Sequence, residues 1–164
     1  MKYFRMTEFE CRCWCGMPAA AKENIEALVE NCLDPVRALF GKPIKVNSGY
    51  RCRKHNAEVG GATRSQHLCQ DGSAAADICA EPRGYKNMAE WKEANMAIAG
   101  LIAKGGYFDQ VILENVGGSD LKPKWVHVSY KRQGTNRGQV LKKVAGQRGY
   151  AALTAEEICK LLGK

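Results

Sequence analysis

Two of the three histidines and one aspartate of this chain are residue types that bind divalent metal ions. His67 follows a glycine-containing segment, and His127 lies in the middle of the apolar stretch 125–130. Asp77 is an acid within the small, apolar stretch 74–78, where a buried carboxylate is costly unless a cation or hydrogen bonds compensate it. Two histidines, an aspartate and a water would make a four-coordinate catalytic zinc site. The alternative is that His67 caps a loop, His127 is a hydrogen-bonded strand residue and Asp77 pairs with an arginine.

A glutamate is predicted to lie near these residues. Alternating residues predict strands at 108–114 and 125–131. If the two strands pair with their aliphatic residues on one face, Glu114 and His127 both point to the other face. A carboxylate in such a position can serve as a general base. The alternative for Glu114 is a salt bridge to a lysine at either end of the second strand.

The rest of the chain predicts helices and strands in an irregular order. Helical spacing runs from 18 to 40, and Pro35 predicts a kink or break near Asp34. The other predicted elements are a strand at 44–48, a short helix at 51–59, a buried central strand at 74–80, a helix from Asn87 to Gly105, a turn at 117–120 and a helix at about 154–163. Because no regular βαβ alternation appears, we expect an α+β fold, with a small and mostly antiparallel sheet flanked by helices.

Length and charge restrict the classes of protein. A chain of 164 residues fits a single domain. No apolar run is long enough to span a bilayer, and the N-terminal residues lack the apolar segment of a secretory signal, so we expect a protein that is cytoplasmic as synthesised. The net charge of +8 favours polyanions, including nucleic acid and bacterial wall polymers, or is a solvated face. Nucleic-acid binding rests on charge alone, because no aromatic-rich basic motif is present.

Eight cysteines are many for this length. The stretch 11–15 places Cys11, Cys13 and Cys15 at alternate positions, a spacing that could hold a soft metal. No second CxxC or Cys/His pair in the sequence completes four zinc ligands. Without an export signal, scattered reduced thiols are favoured over a set of disulfides.

Several short motifs occur in an order that resembles a known family. They are Ser48-Gly49-Tyr50-Arg51-Cys52, His55-Asn56, Val59-Gly60-Gly61, Ser65-Gln66-His67, Ala75-Ala76-Asp77-Ile78 and Trp125-Val126-His127-Val128, together with Phe9-Glu10-Cys11-Arg12-Cys13 and Asp109-Gln110-Val111-Ile112. Together they resemble the zinc DD-peptidases of peptidase family M15, particularly its short phage and bacterial members. The similarity extends over roughly residues 3 to 130.

The resemblance implies a fold, a metal and a substrate. The fold would be the small α+β fold shared with the signalling domain of hedgehog proteins, here as one peptidase domain over residues 1–164. The zinc ligands would be His67, Asp77 and His127. Arg51 would face the substrate carbonyl, and Ser65 would bind near His67 or the substrate. The substrate class would be the peptide stems of bacterial peptidoglycan, cut beside a D-amino acid by a D,D-carboxypeptidase or murein endopeptidase.

The resemblance also implies a setting for this activity. We expect a monomer with no nucleic-acid partner and no membrane span. Action on the cell wall would follow release from the cell, as for a phage or prophage product.

The chain departs from the family pattern in two places. His67 and Asp77 are three residues further apart than in Ser-x-His-x-x-Gly-x-Ala-x-Asp, and the extra loop brings in Cys69 and Asp71 as competing ligands. Many members carry an acidic general base three residues before the last histidine, where this chain has Lys124. We therefore assign the base to Glu114. The competing hypothesis is a non-catalytic wall-binding module that keeps the fold.

Overall fold

A computed structural model describes residues 1–117 and 120–163, which form five α-helices and six strands. The helices are α1 (Ala19–Leu28), α2 (Asp34–Phe40), α3 (Arg53–Glu58), α4 (Met88–Gly105) and α5 (Ala155–Leu162). The strands are β1 (Ile44–Ser48), β2 (Ser73–Ala80), β3 (Gln110–Val116), β4 (Trp125–Lys131), β5 (Gln139–Val144) and β6 (Ala151–Ala152). Gly118 and Ser119 of the predicted turn, and the terminal Lys164, lie outside the described residues.

The six strands form one mixed sheet in the order β1-β2-β4-β3-β5-β6. Four of the five neighbouring pairs are antiparallel, and β3 pairs with β5 in parallel. Helices flank this sheet, so the predicted α+β class with a mostly antiparallel sheet is confirmed. No helix within the described ranges is both long and apolar enough to cross a membrane.

Strands β5 and β6 were not predicted. The segment 139–144 has apolar residues at 140, 141 and 144, which match neither strict alternation nor a continuous run. In the structure Lys142 lies in β5 and pairs with Glu157 of α5. This strand is added by tertiary pairing with β3, which local pattern does not reveal.

The long first helix changes its winding before a proline. Residues 29–33 form a π-helical turn between α1 and α2, and Pro35 is the second residue of α2. Proline has no N–H to donate and crowds the carbonyl four residues earlier, which the wider π turn accommodates. The predicted discontinuity near Asp34 is therefore confirmed as a local widening.

The sheet has one apolar face and one face that carries polar residues. Helices α1 and α4 pack against the central strands. Fully buried side chains of those strands belong to the same core: Ala74, Ala76, Ile78, Val111, Leu113, Val126 and Val128. Residues at the alternating positions point to the other face. That second face carries Asp77, Glu114 and His127.

Candidate active site

Three metal-binding side chains converge on the polar face of the sheet. Asp77 of β2 and His127 of β4 are direct partners in the antiparallel register. His67 comes from a 3₁₀ turn at Gln66–Leu68. His67 Nε2 lies 3.2 Å from His127 Nδ1 and 3.3 Å from Asp77 Oδ1, and His127 Nδ1 lies 3.1 Å from Asp77 Oδ1. All three residues predicted as ligands are thus adjacent in space.

The triangle of donor atoms has the size that a zinc ion requires. Zinc binds histidine nitrogen and carboxylate oxygen at about 2.0–2.1 Å, so two ligands of a tetrahedral site lie about 3.3 Å apart. The three separations of 3.1–3.3 Å match that edge. Three protein ligands leave the fourth position for water or substrate, as in catalytic sites. The residues present therefore fit a catalytic zinc ion.

A backbone carbonyl orients the His67 ring. His67 Nδ1 lies 2.8 Å from the carbonyl oxygen of Gly49. Because a carbonyl can only accept, Nδ1 carries the proton and Nε2 presents its lone pair to Asp77 and His127. The Ser65 hydroxyl accepts a hydrogen bond from the backbone N–H of His67 at 3.3 Å. Ser65 therefore supports the turn that holds His67.

Asp77 divides its two carboxylate oxygens between two sets of partners. Oδ1 faces the histidines, while Arg51 Nη2 donates to Oδ2 at 2.5 Å. The Arg51 side chain is anchored by Nε donating to Ser48 Oγ at 2.9 Å. Burial raises the pKa of the Asp77 carboxyl, but its contacts with the imidazoles of His67 and His127 outweigh burial and lower that pKa. Asp77 thus remains ionised, as a metal ligand must be.

Glu114 lies on the same face, diagonal to His127. It is opposite Trp125 in the β3–β4 register, while His127 is opposite Ile112, so the parity predicted for Glu114 and His127 is observed. Burial raises the pKa of the Glu114 carboxyl. Within the described ranges no lysine or arginine forms a salt bridge with Glu114, and Lys131 pairs instead with Asp109. A half-buried carboxylate without an ion pair is suited to accept a proton.

A cavity of about 770 Å³ connects these residues to solvent. Its lining includes the three metal-binding residues and Glu114, and it also includes cationic and aromatic side chains: Arg51, Arg64, Lys131, Arg137, Trp125 and Tyr150. Tyr150 was not singled out by the sequence analysis, because it belongs to the loop between the two unpredicted strands. The volume lies within the range of about 300–1,000 Å³ that is typical of ligand-binding clefts.

Asp109 contributes more than the turn or strand start that its position predicts. It is fully buried and accepts hydrogen bonds from the backbone N–H and the guanidinium of Arg137. Gln66, next to His67, donates to Asp109 Oδ2 at 3.0 Å. Burial raises the pKa of Asp109, but the Arg137 and Gln66 hydrogen bonds lower it to about 2. This buried aspartate therefore joins the His67 turn to the loop before β5.

The three-residue insertion between His67 and Asp77 forms a separate loop. Cys69 and Asp71 both have a positive φ there, which turns the chain before β2. Cys69 is buried, which raises the pKa of its thiol to about 12, and Asp71 is exposed. Neither belongs to the ligand group of His67, Asp77 and His127. The insertion thus leaves both flanking ligands in place.

Two further residues considered in the sequence, Lys124 and His55, are not part of this ligand group. Lys124 is exposed immediately before β4. His55 is half-buried in α3, where its Nδ1 lies 3.7 Å from Glu58 Oε2.

The cysteines correct one expectation. All eight are free thiols. The sequence suggested that nothing completes a fourth ligand beside Cys11, Cys13 and Cys15, yet Cys52 lies with them in space. Cys52 is remote in sequence and stands alone, so spacing rules for paired cysteines do not detect it. The sequence feature that could have indicated Cys52 as a ligand was its position directly after Arg51 in the Ser-Gly-Tyr-Arg-Cys motif.

Comparison with known proteins identifies the family. No curated protein matches the chain. The family model described as Peptidase M15 matches residues 2–108, well over half of the chain. The matched region includes Arg51, Ser65, His67 and Asp77 and ends before Glu114 and His127. Peptidases of this family are metal-dependent and act on peptides, in agreement with the convergent donors in the cavity. The chain therefore belongs to peptidase family M15.

Proposed function

We propose that the protein is a zinc-dependent peptidase that cleaves peptide stems of bacterial peptidoglycan beside a D-amino acid. The observation that carries this proposal is the triangle of His67 Nε2, Asp77 Oδ1 and His127 Nδ1, with sides of 3.1–3.3 Å, at an open cavity. These three residues would hold the zinc ion. When bound, zinc supplies the Lewis acidity that activates water and stabilises negative charge on a carbonyl oxygen.

Glu114 is the proposed general base. Its carboxylate takes the proton of the attacking water and transfers it to the leaving amine. Support comes from its place on the His127 face, its lining of the cavity and the raised pKa caused by burial. The chain has lysine where many relatives have an acid, so Glu114 of the neighbouring strand would supply the function from another position.

Arg51 has two proposed roles. Its guanidinium compensates the charge of Asp77 through the contact to Oδ2, and it also lines the cavity, where it would stabilise negative charge on the substrate carbonyl. Ser65 lines the same cavity and would lie near the bound substrate while its hydroxyl holds the His67 turn.

An exposed arginine of the cavity is suited to an anionic peptide substrate. Arg64 lines the cavity and is exposed, while Lys131 and Arg137, which also line it, pair with Asp109. Peptide stems of peptidoglycan carry free carboxylates, which such groups bind favourably. This chemistry fits a D,D-carboxypeptidase and a murein endopeptidase alike, since both bind the stem peptide.

The proposal extends to the whole chain. Residues 1–164 would form one peptidase domain that acts as a monomer. The domain would reach the wall after release from the cell that makes it, as a phage or prophage product would. A non-catalytic wall-binding module is the second candidate, favoured by Lys124 at the position of the usual acid.

A metal analysis combined with a peptidoglycan digest tests the proposal. Purified protein with zinc is incubated with peptidoglycan, and the released fragments are identified by mass spectrometry. We expect new fragments whose ends lie beside a D-amino acid, and none with His127→Ala. Wall binding without any new fragment would favour the non-catalytic module. The bond that is cut distinguishes the carboxypeptidase from the endopeptidase.

A further inference from the structure

Four cysteine sulfurs form a second group of metal-binding atoms, which we call the cysteine cluster: Cys11, Cys13, Cys15 and Cys52. Their Sγ atoms all lie within 4.8 Å of one another, and none of the four residues lines the cavity described above. We propose that the cysteine cluster binds a structural zinc ion. Zinc binding at this second site does not require the proposed peptidase activity.

The separations between the sulfurs agree with a tetrathiolate site. Cys13 Sγ lies 3.1 Å from Cys11 Sγ and 3.5 Å from Cys52 Sγ. Zinc binds thiolate at about 2.3 Å, which places two sulfurs of a tetrahedral site about 3.8 Å apart. A disulfide requires about 2.05 Å. Both observed distances are more than 1 Å longer than a disulfide, and they are shorter than the tetrahedral edge by about 0.3 Å for Cys13–Cys52 and about 0.7 Å for Cys13–Cys11.

The backbone around the N-terminal cysteines turns so that alternate residues face one point. In an extended strand, residues two apart point to the same side but are spread along the chain. Here Trp14 adopts φ +56°, and its N–H donates to the Cys11 carbonyl at 3.0 Å, which curls the segment. The Trp14 side chain is 84% exposed and contributes nothing to the core. The turn serves to bring the three sulfurs together.

Backbone N–H groups also point at the sulfurs. The Cys52 N–H donates to Cys11 Sγ, and the His55 N–H donates to Cys52 Sγ, both at 3.4 Å. Such donors stabilise the thiolate form that a metal requires. Cys13 and Cys15 are exposed, so an ion can enter from solvent. Binding would release the thiol protons to the solvent as each sulfur becomes a thiolate.

The proposed ion would link the N-terminal segment 11–15 to the loop 49–52, which supports the candidate active site. Next to the cluster, the Tyr50 N–H donates to the Phe9 carbonyl at 2.8 Å. The same loop supplies the Gly49 carbonyl that orients His67 and the Arg51 side chain that contacts Asp77. A link between Cys52 and the 11–15 turn would fix the position of this loop. The cysteine cluster is thus a positioning site, with no contact to substrate.

Zinc stoichiometry of the full-length protein and its variants tests this proposal. Each protein is purified without chelator and its zinc content is measured by mass spectrometry of the metal. We expect two zinc ions per chain in the unmodified protein and one in Cys13→Ala, whose side chain is exposed. Cys159→Ala removes an exposed cysteine outside the cluster and should keep both. His127→Ala should lose only the other ion.

Cobalt substitution identifies the ligands without relying on activity. Co²⁺ in the cysteine cluster should give intense sulfur-to-cobalt charge-transfer absorption in the unmodified protein and in His127→Ala, but not in Cys13→Ala. Cys15→His, which replaces one sulfur ligand by a nitrogen ligand, should keep full zinc content and give a weaker charge-transfer band than the unmodified protein. The proposal is overturned if the unmodified protein has no zinc removable by Cys13→Ala, or if its intact mass without reductant shows disulfides among these four residues. Loss of zinc from His127→Ala without loss of hydrolysis would count against the proposed function alone.

Discussion

His67 Nδ1 lies 2.8 Å from the carbonyl oxygen of Gly49, and this contact turns the opposite nitrogen of the ring towards Asp77. The position of Gly49 is set in turn by the N-terminal segment. A Cβ added to Gly49 would lie 2.6 Å from the Cα of Phe9, closer than real atoms approach. The orientation of His67, a proposed zinc ligand, therefore depends on the packing of Gly49 against Phe9, which precedes His67 by nearly sixty residues.

Gly49→Ala should weaken zinc binding at the His67 site without removing any ligand. The added methyl forces the backbone away from Phe9, which displaces the carbonyl that fixes the His67 ring. Loss of such an outer partner typically costs 10–100-fold in metal affinity. Competition with a chelator measures the change. Gly84→Ala is the matched control, because a Cβ there meets no atom within 4 Å. Equal zinc affinity of the two variants would show that Gly49 does not position His67.

Glu114→Gln should lower turnover while the metal stays bound. The substitution keeps the size of the side chain but cannot accept the proton of the attacking water, and a general base contributes about 10²–10⁴-fold. The zinc content should equal that of the unmodified protein, since Glu114 is not among the three proposed ligands. Steady-state hydrolysis of a stem peptide measures the effect. Glu156→Gln, an exposed residue of α5, controls for loss of a negative charge. Undiminished turnover in Glu114→Gln would assign the base elsewhere.

The parts of this site predictable from the sequence were those with a local pattern. Alternation in 125–130 and the motifs around His67 and Asp77 predicted the ligands, and parity predicted the common face of Glu114 and His127. The role of the Gly49 carbonyl in orienting His67 could not be predicted, because every residue has a backbone carbonyl and residue type does not show which one is used. Cys52 and the Asp109–Arg137 contact escaped for a related reason: each joins segments far apart in sequence, and only the packing of the chain brings them together.

Asp109→Asn should lower the free energy of unfolding at neutral pH. It should also make that free energy fall less steeply as the pH is lowered into the acidic range. The substitution removes the charge that accepts hydrogen bonds from Arg137, and such bonds to charged groups contribute about 1.5–3 kcal/mol. The pKa of Asp109 is lowered from 3.8 to about 2 in the folded protein. Its contribution is therefore complete above pH 3.8 and is lost as the pH falls towards 2.

Urea unfolding at several pH values checks this prediction. The difference in free energy of unfolding between the unmodified protein and Asp109→Asn should be largest near neutral pH and shrink between pH 3.8 and about 2. Asp71→Asn, at an exposed position whose positive φ asparagine tolerates, should show no such narrowing. A constant difference across this range would mean that the ionised carboxylate of Asp109 contributes nothing to stability.

Leu161→Ala should show that the C-terminal helix is part of the folded peptidase domain. Leu161 is 6% exposed and belongs to the main core. Its backbone also packs closely against α4, because a Cβ added to Gly100 would lie only 2.6 Å from the Leu161 carbonyl oxygen. Truncation of a buried leucine to alanine costs about 2–5 kcal/mol. One cooperative unfolding transition, shifted to lower urea concentration, is therefore expected. Leu39→Ala, at a side chain that is 72% exposed, should leave the midpoint nearly unchanged. If Leu161→Ala unfolded at the same midpoint as the unmodified protein, α5 would be an appendage outside the domain, and the proposed domain would end before it.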